Sequence, residues 1–164
     1  HKWLSTPLGA GLLYVRKSKI ANVWPLLGET SVPFDDIRKF ERLGTQPPWT
    51  MLAIRDAIRF HRMVGAPSKD ARLRWLQKYW TSRVRGLKKV YLNTPDGDRA
   101  CGIANAGVTG MTPAALATTL FDKYGIYTVA IDTGPVKGVR VTPHLFTTTA
   151  DLDALVKALT ELGA

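Results

Sequence analysis

The side chains here whose types could do chemistry are Lys2, Thr45, Cys101, Arg140 and the histidines His1, His61 and His144. The histidines are far apart in the chain and lack the spacing of metal ligands. Arg140 lies within Val139-Arg140-Val141, where strand alternation turns it away from its apolar neighbours. Its planar fork can hold a carboxylate by two parallel hydrogen bonds, which a lysine cannot do. On pattern alone it is also an ordinary solvated strand arginine. Lys2 beside Trp3 reads in isolation as a surface residue, and Thr45 as a turn threonine. Cys101 sits in a strand-like segment, where a small buried thiol is the usual reading. Being single, it excludes an internal disulfide framework and any multi-cysteine metal site. There is no Gly-x-Ser-x-Gly elbow and no Walker loop. Gly9-Ala10-Gly11 is only a fragment of a dinucleotide fingerprint, because Tyr14 fills the third small position and an apolar run follows it.

The elements that must position these residues follow from periodicity. Leu12 to Val15 is a short apolar run bounded by turn residues and reads as a fully buried strand. Asp35 to Leu43 follows Pro33 and reads as surface loop or a short helix. A helix is expected from Thr50, as cap, to Val64, with Ile54 and Ile58 on one face and Arg55, Arg59 and Arg62 on a solvated one. Pro67 suits the first turn of a second helix, with Leu73, Leu76, Trp80 and Val84 at helical spacing and Gly86 as stop. Lys89 to Asn93 and Cys101 to Val108 read as strands joined by Thr94-Pro95-Asp96-Gly97. Thr112 and Pro113 open a helix carrying Leu116, Leu120 and Phe121, stopped by Gly125. Ile126 to Ile131 and Val139 to Val141 follow as strands across a Gly-Pro-Val-Lys-Gly loop. Thr148 and Asp151 form a capping box for a last helix with Leu152, Leu155, Val156, Leu159 and Leu162 on one stripe.

From about Thr50 onward the order is helix, helix, strand, strand, helix, strand, strand, helix, which predicts helices on one small sheet. The first fifty residues fit this scheme poorly. One buried-type strand has no neighbours to pair with, so this stretch reads as the tail of a larger α/β domain.

Composition narrows the class. The 164 residues are 45% hydrophobic and 22% charged, as in an ordinary globular protein. No apolar run reaches bilayer-spanning length, so a soluble protein without membrane contact is expected. The chain opens on His1 with neither an initiator Met nor a signal-like segment, and reads as cut from something longer. The net charge of +10 concentrates between Arg55 and Lys89, interleaved with Trp75, Tyr79 and Trp80. A basic solvated face explains this more simply than nucleic-acid binding, for which no motif is present.

Three segments carry a family resemblance. HKWLSTPLGAGLLYVRK resembles the part of class-V aminotransferases where a His-Lys pair precedes Pro, a Gly-x-Gly turn and a buried strand. Gly44-Thr45-Gln46 resembles that family's Gly-Thr turn. GVRVTPHLFTTTADLDALVKAL resembles its arginine-bearing strand, aromatic-Thr turn and final helix. CGIANAGVTGMTPAALATTLFDKYGIYTVAID is most similar to the isopenicillin N epimerase-like branch.

The resemblance implies an α/β chain: residues 1–50 as the remnant of the large cofactor-binding domain of a fold-type I transferase, and 51–164 as a small α+β domain with a mainly antiparallel sheet. It implies pyridoxal 5'-phosphate as cofactor and an amino acid as substrate. Lys2 then takes the Schiff-base role, because an amine condenses with the pyridoxal aldehyde and can shuttle protons at Cα. His1 corresponds to the histidine that helps hold the cofactor phosphate. Thr45 corresponds to a threonine reaching the phosphate from the neighbouring subunit, which implies a homodimer. Arg140 corresponds to the arginine that grips the substrate carboxylate. Desulfurases of the family carry a reactive cysteine shortly before that arginine; Asp122 to Val139 contains none, so their chemistry is not expected. The resemblance leaves transamination and epimerisation both open. It puts the acidic partner of the pyridine nitrogen and a ring-stacking aromatic upstream of Lys2, so the chain alone is expected to be inactive. A basic nucleic-acid-binding module and a non-catalytic subunit-interface domain stay open as other classes.

Overall fold

The computed structural model describes residues 1–28, 31–41 and 44–164. They form two compact units, His1–Met63 and Val64–Ala164.

The first unit is mostly irregular. It holds 3₁₀ turns at Lys17–Asn22 and Ile37–Phe40 and most of helix α1 (Pro48–Val64). Its centre is an ammonium group. Lys39 is fully buried and its Nζ donates to the carbonyls of Ile20 and Phe34, at 2.6 Å each. The same nitrogen lies 3.7 Å from the centre of the Phe34 ring, and Trp24 meets that ring edge-on. A buried charge persists only with such compensation. Asp36 starts the second turn by accepting from the Arg38 backbone N–H and pairing with its guanidinium. These bonds hold the Asp36 carboxyl below the ordinary carboxylate range.

Two expectations fail in this unit. Leu12 to Val15 is not a strand: Leu12, Leu13 and Tyr14 are exposed, and no described residue pairs with them. A strand needs a partner edge, and among the described residues of this unit none forms. Thr50 does not cap α1, which starts two residues earlier; its hydroxyl donates to the Pro47 carbonyl instead. The 3₁₀ turn at Ile37–Phe40 agrees with the short-helix reading of Asp35 to Leu43, though Lys39 turns inward and Leu43 lies outside the described residues. On α1, Ala57 is buried while Ile58 is exposed; Arg55, Arg59 and Arg62 are solvated as expected.

The second unit has the predicted element order: α2 (Ala66–Val84), β1 (Val90–Leu92), β2 (Ala104–Val108), α3 (Pro113–Tyr124), β3 (Val129–Thr133), β4 (Val136–Val141) and α4 (Thr149–Leu162). The strands form one sheet in the order β1-β2-β4-β3, each neighbouring pair antiparallel. It follows that β2 and β3 run parallel with β4 between them, and a crossover of this kind needs a long connection, here α3. Alternation sends Val90, Ala104, Ala106, Val108, Val139 and Val141 to one face. There they meet Leu76, Trp80 and Val84 of α2, Leu116 and Leu120 of α3, and Leu152, Leu155 and Leu159 of α4.

The N-termini of α3 and α4 are closed by side-chain caps. Thr112 accepts from the Ala115 N–H, and Thr148 and Asp151 make the reciprocal capping box. Gly125 ends α3 in the left-handed region. Leu116 and Leu120 of α3 are buried, while the apolar Phe121 is exposed and meets Tyr127 edge-on. The expected five-residue loop before β4 contracts to a two-residue turn, because Thr133 pairs directly with Val136.

Candidate active site

Three of the four sequence-derived site residues lie in the first unit. The chain turns sharply after Lys2: the Ser5 N–H donates to the Lys2 carbonyl at 2.9 Å, and Ser5 has φ +61. Thr6 is buried, so the turn is anchored behind an exposed His1 and Lys2. The Lys2 amine has no hydrogen bond or ion pair among the described residues. Thr45 is exposed, in a bend following Gly44 (φ +74). No direct hydrogen bond links His1, Lys2 and Thr45.

Arg140 lies in the second unit, on the sheet face opposite the helices. Val139 and Val141 beside it are buried in the core, as alternation requires. It pairs across the sheet with Asn105 of β2 and with Val129 of β3. Its guanidinium makes no hydrogen bond or ion pair among the described residues, and its Nε is sealed from solvent with no acceptor. A buried donor left in this way costs about 1–3 kcal/mol of desolvation.

Asn105 is the residue that sequence reasoning passed over. Its Oδ1 accepts from Asn93 Nδ2 at 2.6 Å, and the same Asn93 nitrogen donates to the Lys137 carbonyl at 2.7 Å. Its own Nδ2 is buried and unpartnered. Two glycines make room around this strip of sheet. A Cβ on Gly138 (φ +146) would fall 2.4 Å from the Ala106 carbonyl oxygen and 2.6 Å from Asn105 Oδ1. A Cβ on Gly107 would enter the Tyr91 ring. The available signal was an amide, a residue depleted in strands, standing between Ala104 and Ala106.

Cys101 corrects an expectation. It is exposed and precedes β2, because that strand starts at Ala104; its sulfur lies 4.0 Å from an Arg74 Nη. The Arg74 guanidinium also donates to the Asp98 and Ala100 carbonyls and pairs with Asp70. Among the described residues no cluster of three His, Cys, Asp or Glu side chains could hold a metal ion, and no helix is long and apolar enough to cross a membrane.

The class-V aminotransferase family matches residues 1–155 of the chain. Isopenicillin N epimerase of Amycolatopsis lactamdurans is 26% identical across 99% of this chain and 45% of its own length. The cysteine desulfurase CsdA of Escherichia coli superposes with a TM-score of 0.79 at 19% identity, over 97% of this chain and 43% of that one. A mutant of the lyase C-DES, with glycine covalently linked to its pyridoxal-phosphate cofactor, superposes with a TM-score of 0.78 at 18% identity, over 99% and 44% of the two chains. The structural likenesses establish the fold. This chain spans a little under half the length of the curated relatives it matches.

Proposed function

We propose that this chain, which belongs to the class-V aminotransferase family, forms the C-terminal part of a pyridoxal-phosphate enzyme that transforms an amino acid. The family is pyridoxal-phosphate-dependent. The observation that carries the reading for this chain is Arg140, whose sealed Nε lacks any acceptor. A carboxylate approaching side-on would satisfy that nitrogen and one Nη together.

The residues present fit the cofactor. An aldehyde needs an amine without a competing partner, and Lys2 offers one. A phosphate needs donors, and His1 and Thr45 hold exposed, unengaged side chains. In this reading Lys2 would hold the cofactor through its amine and would move a proton at the substrate Cα. When bound, pyridoxal phosphate supplies an electron sink for the charge that develops there. His1 donates its ring N–H to the phosphate. Thr45 gives a hydroxyl and a turn N–H to the phosphate of a second subunit, which makes the enzyme a homodimer. Residues 1–50 then belong to the large cofactor-binding domain, and 51–164 to the small domain.

Borohydride reduction of the pyridoxal-loaded full-length protein tests the assignment. Peptide mass mapping is expected to find the pyridoxyl group on Lys2. A label spread over other lysines, with Lys2 unmodified, would overturn it. The 164-residue chain by itself is expected to turn over no amino acid, and pyridoxal-dependent turnover by the purified chain would refute that part.

A further inference from the structure

We propose that Asn105 is a second carboxylate-binding residue, its side-chain amide joining the Arg140 guanidinium on the carboxylate of the amino-acid substrate. The proposal rests on the role given to Arg140 above.

Two side-chain donors on neighbouring strands are unmet. Of the buried side-chain nitrogens and oxygens without a partner, Arg140 Nε and Asn105 Nδ2 are the two on directly opposed strand positions. Opposed residues of an antiparallel pair project from the same face with Cβ atoms about 4.5–5.5 Å apart. Both groups are donors, so neither can satisfy the other. A ligand meeting both must be rich in acceptors, and a carboxylate has two oxygens with about four acceptor sites.

The orientation of the Asn105 amide follows from its neighbours. The Lys137 carbonyl can only accept, so the Asn93 atom facing it is the nitrogen. The second proton of that nitrogen meets Asn105, whose facing atom is therefore Oδ1. Nδ2 is left as the free end. Thr94 fixes the strand from behind, its Oγ1 accepting from the Asn105 backbone N–H at 2.9 Å. Gly138 leaves the amide its space, since any side chain there would strike Oδ1. The amide is thus held in place with its buried donor unmet, and a fixed donor loses less freedom on binding. On the other flank of Arg140 stands Val129, which offers no competing acceptor side chain.

The test is a titration of the full ¹⁵N-labelled chain with sodium acetate, against sodium chloride at matched ionic strength. The Asn105 Nδ2 and Arg140 Nε proton resonances are expected to move together on one saturable curve with acetate only. Asn105→Ala is expected to weaken acetate binding about tenfold, the range of a hydrogen bond to a charged group. Arg140→Gln is expected to abolish it. If Arg140 Nε responds and Asn105 Nδ2 does not, the proposal falls and the reading of Arg140 stands. If neither responds, or chloride moves both equally, both fall. The resonance shifts are read on the unsubstituted chain, so a variant that fails to fold leaves the decision intact.

Discussion

Residues 64–164 gather their apolar side chains from three helices and three strands into one core, whereas residues 1–63 leave Leu12, Leu13, Tyr14, Trp24 and Leu26 at the surface. In the first unit the tightest centre is polar: one lysine ammonium bridging two carbonyls over an aromatic face. In the second it is Trp80, Leu76 and Val84, none of them exposed at all. The contrast teaches where stability can come from. Apolar burial scales with area removed from water, so it can hold the second unit and can contribute little to the first.

Deleting the centre of each unit sharpens that contrast. Trp80→Ala removes the largest fully buried side chain and is expected to destabilise residues 64–164 by about 3–5 kcal/mol. Chemical denaturation followed by residue-resolved hydrogen exchange measures this. Equal loss of protection across residues 1–63 would break the comparison. Lys39→Met keeps the bulk and strands the Ile20 and Phe34 carbonyls, at about 1–3 kcal/mol for a group left unsatisfied. Here the loss of protection is expected around Lys17–Asn22 and Ile37–Phe40. A neutral Lys39→Met would mean that the polar centre contributes nothing.

The same contrast explains what was legible in the sequence. Leu76, Trp80 and Val84, and then Leu152, Leu155 and Leu159, recur at helical spacing because the surface they bury against lies in the same hundred residues. The whole element order of the second unit could be read from such patterns. Leu12 to Val15 carries an equally apolar signal, but a strand is a relation between two segments and this one has no partner among the described residues of its unit. Lys39 could not be read at all. Nothing in Asp35 to Leu43 announces that its second lysine-or-arginine position turns inward, since the carbonyl of Ile20 that draws it is nineteen residues away in the chain.

The candidate site divides in the same way. Alternation in Val139-Arg140-Val141 oriented Arg140 correctly, because it is a local property. Asn105 depends on register, which joins β2 to β4 across α3 and β3, and on Gly138 leaving room; both are visible only once the sheet is formed. Lys2, His1 and Thr45 are proposed only from resemblance to the family pattern and had no periodicity to reveal them.

A smaller effect separates local from long-range stabilisation within the second unit. Thr112→Ala removes the acceptor for the Ala115 N–H and is expected to cost about 1 kcal/mol. The core behind α3 is unchanged, so Leu116 and Leu120 should keep their protection while the first turn frays. Loss of both would show that the cap, rather than the core, holds the helix.

The smallest expected effect concerns the surface contact of α2 with α4, where Asp153 accepts from Tyr79 at 2.9 Å and pairs with Arg83. The hydrogen bonds from Arg83 and Tyr79 hold the Asp153 carboxyl below the ordinary carboxylate range. The bond to Asp153 raises the Tyr79 phenol above its ordinary value. The two shifts have opposite consequences. The Asp153 contribution is present above the ordinary carboxylate range and is lost as pH falls through the lowered value. The Tyr79 contribution is present below the ordinary phenol range and is lost as pH rises through the raised one. Solvent screens all three groups, so each effect is small. Denaturation midpoints across pH are expected to fall less steeply on the acid side in Asp153→Asn, and on the alkaline side in Tyr79→Phe. Salt should shrink the acid-side difference, because an exposed ion pair is screened, and should leave the response to Trp80→Ala nearly unchanged. A salt-insensitive acid limb would place the titrating carboxyl elsewhere and detach this contact from the stability of the second unit.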